Sequence, residues 1–373
     1  MNQINCPICG NKCVKAGKTK AGTQRWLCKK CKTSLTHKID NDSKELQIFL
    51  DWLFGKETQS IMPGEGRTFR RKTARFWDIW PMLPKIEETK DVLFLDGIYL
   101  GRKACVLICC DEKNVLGWYL CRYEHAGAWI ALMKRIAEPR MVVSDGGTGF
   151  AKALKKVWPI AKHQRCIFHV FCQIKRYTMS KPNTLAGVEL YCLAKDLLKI
   201  KEKQEAETWV TRFTEWIKKY QKFLSEMTVD EHGNKRPTHE RLLKAERSLL
   251  KLIKENTLFT YLDKEFINDF IAPSTNNRIE GGINSRLREM LRNHRGLSIE
   301  RRIKAVYWWC YMHSPEPLSL SEIIKTMPTD RSIAAIYQRM NDKSRLEKSL
   351  SLWGDAIVWS DLHKMDKSFT EWD

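Results

Sequence analysis

The spacing of apolar residues changes along the chain, and each change marks a different kind of element. Leu46, Phe49, Leu50 and Leu53 recur at three- and four-residue intervals, which predicts an amphipathic helix with Gly55 as its stop. The stretch RTFRRKTARFWDIW then reads as a second helix. Arg67, Arg70, Arg71 and Arg75 make its basic face, and Phe69, Phe76, Trp77 and Trp80 its aromatic one. Two helices in this order suggest a helix-turn-helix whose last helix meets a DNA groove, with Pro63 limiting any helix between them. A helical linker with a solvated basic face is the plainer alternative. Past residue 90 the pattern becomes one of apolar, β-rich runs: Val92–Ile98, Lys103–Cys110 and Val115–Leu120, the last two joined by the turn residues DEKN. A helix over Ala126–Ala137, a buried strand over Met141–Ser144, a helix over Thr148–Trp158 and a strand over His163–Ile167 follow. Three meandering strands, then helix, strand, helix, strand, predict a mixed sheet with helices on its faces.

From about Leu185 to Phe270 the helical period returns in long stretches. Trp209, Phe213, Trp216 and Tyr220 form an aromatic stripe that fits a packed core better than a base-stacking surface. The polar run TVDEHGNKRPTHE separates the last two helices. Glu280 belongs to a helix that returns after this insertion and ends near Arg295 and Gly296, and a further helix covers Ser298–His313. The tail from Pro315 is helical, mixed in charge and silent about chemistry.

Charge changes the picture. The chain of 373 residues carries a formal net charge of +21, which favours a polyanionic partner. A nucleic acid fits better than a membrane, because no apolar run approaches the roughly 18–20 residues that span a bilayer. MNQINCPICG lacks a secretion pattern, so a reducing cytoplasm is expected for the thirteen cysteines. Four of these form a C-x2-C-x18-C-x2-C pattern: Cys6, Cys9, Cys28 and Cys31. Two such knuckles complete a tetrahedral S4 site for one structural Zn²⁺, whose binding supplies folding free energy to a segment too short for a core. Cys13 breaks the paired symmetry and is left out. Trp26 suits either base stacking or covering the metal.

Candidate chemistry rests on three acids: Asp96 within VLFLDGIYL, Asp145 just past MVVS, and Glu280 in STNNRIEGGINSRLR. A carboxylate in a buried strand costs free energy unless it is paired or metal-bound. Three that converge can hold two divalent metals for in-line attack on a phosphodiester. Taken singly, Asp96 is equally a paired structural aspartate, and Glu280 a solvated helix carboxylate. Cys166 and His169, in HQRCIFHV, read as a buried thiol and a histidine that order the site, in preference to direct metal ligands. Asn276 and Asn277, with Arg278, either contact phosphate or position the glutamate helix, and a cap role is the plainer alternative for the asparagines. Arg278, and the basic run of Arg286, Arg288, Arg292 and Arg295, offer a phosphate-binding face near the metals.

Taken together, SDGGTGF, QRCIFHV and NNRIEGGINSRLR resemble the catalytic signature of Mutator-superfamily insertion-sequence transposases of bacteria, over roughly residues 90–310. The resemblance places the family's triad on Asp96, Asp145 and Glu280, and its C-x2-H signature on Cys166 and His169. It implies an α/β, ribonuclease-H-like mixed sheet with an all-helical insertion, preceded by a zinc ribbon and a helical DNA-binding module. The expected boundaries are 1–40 for the ribbon and 41–85 for the DNA-binding module. The catalytic domain spans 90–180 and 272–313, the insertion 181–271 and the helical tail 314–373. The implied activity is cleavage at terminal inverted repeats followed by strand transfer to target DNA, with two Mg²⁺ or Mn²⁺ ions. Double-stranded DNA is the expected partner, and two ends held at once require a homodimer or larger assembly. The rivals are a zinc-ribbon DNA-binding regulator with an inactive core, and a structure-selective nuclease without strand transfer.

Overall fold

A computed structural model describes residues 4–6, 9–36, 41–229, 231–264, 266–267 and 270–347. The end of the expected helical tail, 348–373, lies outside the described residues, as do 37–40 of the expected ribbon. The chain divides into two compact units, one of Met1–Trp52, Glu57–Phe76 and Leu318–Thr326, the other made of the rest.

In the first unit, β1 (Cys13–Lys18), β2 (Gln24–Cys28) and β3 (Ser34–Thr36) form a three-stranded antiparallel sheet in that order. This sheet is too small to bury a core, and its packed centre is the cysteine cluster itself, with Trp26 and Leu35 against it. Trp26 therefore covers the cysteines. Next come α1 (Asn41–Phe54) and α2 (Glu65–Thr73). Leu46, Phe49 and Leu50 are buried on α1, and Phe49 packs on Phe76 with ring centroids 5.7 Å apart. The expected second helix differs from its sequence reading. It starts at Glu65, is interrupted at Gly66, where the backbone is non-helical (φ 37°), and passes into a 3-10 turn over Ala74–Asp78. Turns, with no helix, fill the stretch after α1 up to Gly64, as Pro63 and two glycines dictate.

In the second unit, β4 (Val92–Leu100), β5 (Ala104–Cys110), β6 (Val115–Cys121), β7 (Met141–Ser144) and β8 (Lys162–Arg165) form one sheet in the order β6-β5-β4-β7-β8. The first three strands pair antiparallel, and β4, β7 and β8 pair parallel. Helices α3 (Ala126–Met133) and α4 (Thr148–Val157) supply the crossovers that parallel pairing requires. Trp129, Leu132, Phe150 and Trp158 pack with Leu93, Leu95 and Leu107 of the sheet in one core. The mixed, helix-flanked sheet agrees with the sequence reading and with a ribonuclease-H-like architecture.

Several element boundaries moved; the helix expected to reach Ala137 ends at Met133. The strand expected to reach Ile167 stops at Arg165, and α5 (Ile167–Thr178) begins there, burying Ile167, Val170, Ile174 and Thr178 at helical spacing. The insertion contains α6 (Leu185–Asp196), α7 (Lys203–Leu224) and α8 (Glu240–Lys254). It is not all helical: the polar break folds as a small hairpin of β9 (Met227–Val229) and β10 (Lys235–Pro237), with Gly233 at φ +79° in its turn. The Trp209, Phe213 and Trp216 stripe is core, with 3% exposure or less.

The chain then returns through a π-helical segment, Arg278–Asn284, into α9 (Ser285–Asn293) and α10 (Ile299–Met312). α11 (Leu320–Thr326) and α12 (Asp330–Glu347) complete the described tail. Among the described residues no helix is long and apolar enough to cross a membrane.

Candidate functional site

The parallel register of β4 and β7 brings the first two acids together. Leu95 pairs with Ser144, so Asp96 and Asp145 are the next residues on adjacent strands about 4.8 Å apart. This is the carboxyl end of the parallel strands, where open α/β sheets place their ligands. Ser144 Oγ lies 2.9 Å from His163 Nε2 and accepts the Gly146 amide at 3.1 Å. Asp145 Oδ1 accepts the Gly147 amide at 3.2 Å. Burial holds the His163 imidazole down at about 3, so it is neutral at pH 7. Gly146 has φ +77°, and a Cβ there would lie 2.0 Å from Arg165 Nη1. Both the backbone conformation and the guanidinium beneath it exclude any other residue.

Glu280 comes in on the returning chain, where it groups with Cys166 and His169 and its charge acts on Asp96. Asn276 is fully buried, its amide donates to Cys166 Sγ (3.2 Å), and its Nδ2 donates to the Leu95 carbonyl (3.2 Å). It thus ties the glutamate segment to β4 and to the start of α5. Of the expected alternatives this is the positioning role, while Asn277, at the N-cap position, makes no side-chain cap bond. The π-helical turn places Glu280 and Asn284 toward the sheet, and Asn284 Nδ2 donates to Asp96 Oδ2 at 2.7 Å. The other Asp96 oxygen accepts the Gly97 amide at 2.9 Å.

The electrostatics record the convergence. Burial, foremost, and the charges of Asp145 and Glu280 push Asp96 up to about 6, against the Gly97 hydrogen bond. His169 Nδ1 lies 3.2 Å from Glu280 Oε1, though too obliquely for a hydrogen bond. The Cys166 sulfur and the Glu280 carboxylate push His169 up to about 10. A cationic imidazole beside the glutamate fits the supporting role expected for Cys166 and His169. The three donors also lie within 4.8 Å of one another, close enough to hold a metal ion.

Among the described residues, seven buried side-chain polar atoms lack a hydrogen-bond partner, and five belong to Arg165, His169, Asn276, Glu280 and Asn284. Such atoms are rare in folded proteins, so their concentration here suits a site built for a cation and a polar substrate. Oxygen donors from carboxylates match Mg²⁺ or Mn²⁺. A cavity of about 1370 Å³ lined by α4, α7 and α8 contains none of the three acids. They sit instead at or near the carboxyl end of the two central parallel strands, each partly buried.

Sequence reasoning missed two residues. Glu124, just after β6, brings its Oε1 within 2.5 Å of where a Gly97 Cβ would be. Burial, then Asp145 and Asp96, push it up to about 7. An acid within three residues of a strand end was the available signal. Asn284 lies four residues after Glu280, on the same side of the segment, and helical spacing was its signal.

The basic residues divide. Arg67, Arg70 and Arg71 are exposed on α2, with Arg70 Nη1 3.2 Å from Gln59 Oε1. Arg75 is held by Asp42 (3.0 Å) and Glu45 (2.6 Å), so it braces α1 rather than offering a free cation. Arg278 donates to the Lys113 carbonyl at 3.0 Å. Arg286, Arg288 and Arg292 are exposed on α9.

The cysteine cluster closes as its spacing predicted. The sulfurs of Cys6 and Cys31, and of Cys9 and Cys28, are 3.4 Å apart, and those of Cys9 and Cys31 3.6 Å. A tetrahedral S4 zinc site with bonds of about 2.3 Å has sulfurs about 3.8 Å apart, so these pairs need only a slight expansion to fit it. Thr33, by side-chain and backbone hydrogen bonds, pulls the Cys31 thiol down to about 6, toward the thiolate that zinc requires. Cys13 is buried beside the cluster, outside the set of four.

Residues 104–234 match the family described as "Transposase, Mutator family". That stretch includes Asp145, Cys166 and His169, while Asp96 and Glu280 lie on either side of it. The chain is 28% identical over 159 residues to the transposase for insertion sequence element IS905 of Lactococcus lactis subsp. lactis (strain IL1403), covering 38% of this chain and 40% of that protein. It is 28% identical over 156 residues to the transposase for insertion sequence element IS6120 of Mycolicibacterium smegmatis, covering 37% and 46%. The matches thus span less than half the length of these relatives. With its mixed sheet and its N-terminal cluster of four cysteines, the chain is a homologue of the Mutator-family insertion-sequence transposases that carries a candidate zinc-binding module.

Proposed function

We propose that the chain is a DNA transposase that cleaves phosphodiesters at the ends of a mobile element and joins the 3′-hydroxyl ends to target DNA. What supports this reading is that Asp145 follows the strand paired with that of Asp96, and that Asp96 feels the charges of both Asp145 and Glu280, within a strongly basic chain. Two Mg²⁺ or Mn²⁺ ions held by these carboxylates supply a Lewis acid for the attacking and leaving oxygens.

The chain's own groups hold the acids in place. Asn284 and the Gly97 amide fix the two oxygens of Asp96. His163, through Ser144, fixes the loop that carries Asp145. His169 sits beside Glu280 as a charge partner, and Asn276 anchors the segment that presents the glutamate. Glycines at 146 and 147 keep side chains off the face where a phosphodiester would lie. The four-cysteine module binds one structural Zn²⁺, and with Arg67, Arg70 and Arg71 it recognises terminal inverted repeats in double-stranded DNA. Arg278, Arg286, Arg288 and Arg292 bear on the strand being cut. Because two ends are joined in one event, the working form is a homodimer or larger, acting on DNA in the bacterial cytoplasm.

The test is Mn²⁺-dependent nicking by the wild type and by Asp145→Asn, followed by transfer of a pre-cleaved 3′-hydroxyl end into plasmid. Nicking and joining that both vanish in the variant support the reading. Equal nicking by both proteins sinks it, nicking without joining leaves a nuclease, and DNA binding without nicking leaves a regulator.

A further inference from the structure

Cys166, His169 and Glu280 present three different donors to one point. Cys166 stands at the N-cap of α5 and His169 three residues on, so one helical turn carries both on one side. Glu280 comes to them from the returning π-helical segment. The sulfur, an imidazole nitrogen and a carboxylate oxygen all lie within 4.8 Å of one another. His169 Nδ1 and Glu280 Oε1 are 3.2 Å apart without a hydrogen bond. Both atoms are shielded from water and, among the described residues, neither has another hydrogen-bond partner. Two such atoms, close together and unsatisfied, cost free energy unless a third group satisfies both.

A metal ion accounts for this geometry better than a proton does. A proton shared by the two atoms needs a nearly straight N–H···O line, whereas a metal needs only that both lone pairs meet at a common centre. With bonds of about 2.0–2.1 Å and a tetrahedral angle, a nitrogen and an oxygen on one zinc lie about 3.3 Å apart. The observed 3.2 Å matches that spacing. The sulfur is held in place as well. It is buried and accepts the Asn276 amide at 3.2 Å, the kind of outer hydrogen bond that orients a metal ligand. The donor set decides the class of ion. Sulfur and imidazole nitrogen suit Zn²⁺, Co²⁺ and Cd²⁺, while Mg²⁺ and Mn²⁺ prefer oxygen. Three protein ligands leave the fourth tetrahedral position open.

We propose that Cys166, His169 and Glu280 bind one Zn²⁺-class ion, separate from the four-cysteine module, and that this ion competes with the hard-metal centre for Glu280. The competition rests on the reading of Asp96, Asp145 and Glu280 as a Mg²⁺ or Mn²⁺ centre. A divalent charge on one oxygen of a carboxylate repels a second cation at the other. In the metal-free chain a cationic imidazole stands beside the glutamate, and in the loaded chain the ion takes that place. A thiophilic cation thereby lowers the activity of the acidic site.

The experiment uses the full chain with one equivalent of Zn²⁺ in the four-cysteine module and Co²⁺ as the probe. The wild type should take a further equivalent of Co²⁺, with a thiolate-to-cobalt charge-transfer band and the visible bands of four-coordinate cobalt. Cys166→Ser should lose the charge-transfer band. His169→Gln and Glu280→Gln keep the thiol and should weaken Co²⁺ binding at least about tenfold. In Mn²⁺-dependent nicking, a second equivalent of Zn²⁺ should raise the Mn²⁺ needed for half-maximal rate roughly 5- to 150-fold, the usual span of coupling between two sites.

Thermal melting checks that the variants fold, and the partly exposed His169 carries the test if Cys166→Ser does not. A wild type that takes no further Co²⁺ overturns the site. So does a charge-transfer band that survives in Cys166→Ser, which would assign it to another thiol. Bound Co²⁺ with an unmoved Mn²⁺ requirement overturns the competition. Co²⁺ bound with its band by a protein that never nicks DNA would uphold the site and remove the transposase reading.

Discussion

The cysteine cluster and the proposed acidic site are built in opposite ways. Cys6, Cys9, Cys28 and Cys31 come from two short turns, and the surrounding sheet has hardly any other interior. Asp96, Asp145 and Glu280 come from two strands and a returning helix, on a sheet whose core is complete without them. In the first case the ligands are the core, and a metal substitutes for missing apolar burial. In the second the core is present, and the ligands are a load on it. Asp96 at about 6 measures that load, because its ionised form is held where burial and two like charges oppose it.

Removing zinc should break the comparison most sharply. Structural zinc sites contribute apparent free energies on the order of 10 kcal/mol, so chelation should unfold residues 9–36 and abolish Trp26 burial. Trp26-weighted fluorescence and proteolysis of this segment would report it, while the far-ultraviolet signal of the mixed sheet persists. Survival of the ribbon without metal would place its stability elsewhere.

Next in size is Asp145→Asn. It should lower Mn²⁺-dependent nicking at least about a thousand-fold, about 4 kcal/mol in the barrier, with an unchanged or raised melting temperature. A large fall in melting temperature would mean that Asp145 supports the fold.

A smaller effect is expected for Asp96→Asn on stability. The folded state binds this proton more tightly than the unfolded one, so wild-type stability falls as pH rises from about 4 to about 6 and then levels. The neutral variant escapes that loss and should be more stable at pH 7 by about 2–3 kcal/mol, with the advantage gone near pH 4. Denaturant midpoints across that range would check the sign. Adding Mg²⁺ should stabilise the wild type and not the variant.

The smallest change is expected for Glu124→Gln. This carboxylate adds negative field at the edge of the site without completing the triad, so its loss should weaken divalent-metal dependence about tenfold, or about 1.4 kcal/mol. A metal titration of nicking measures it. No change would confine Glu124 to packing over Gly97.

Legibility followed the same division. The β4, β7 and α4 segments were readable because apolar runs and turn residues declare themselves over a few positions. The start of α5 was misjudged: Ile167 looks like a strand end until Ile174 and Thr178 are known to share its buried face. The hairpin of β9 and β10 was hidden in a polar run whose six strand residues hold little apolar surface. Arg75 looked like one more cation on a basic face, and only its ion pairs with Asp42 and Glu45 remove it from that role. Asn276 read equally well as cap or phosphate contact because its partners, Cys166 and Leu95, are more than a hundred positions away.

By itself the sequence determined the four-cysteine cluster and the mixed order of strands and helices, and it proposed the three acids, because each depends on residue type and short-range spacing. Tertiary structure alone decided that Asn284 holds Asp96, that Arg165 lies under Gly146, that Glu124 joins the acids, and that four arginines line one hollow. The physical reason is range. Periodicity and ligand spacing are properties of a few consecutive residues, whereas hydrogen bonds, like-charge repulsion and cavities arise between groups that only folding brings within a few ångströms.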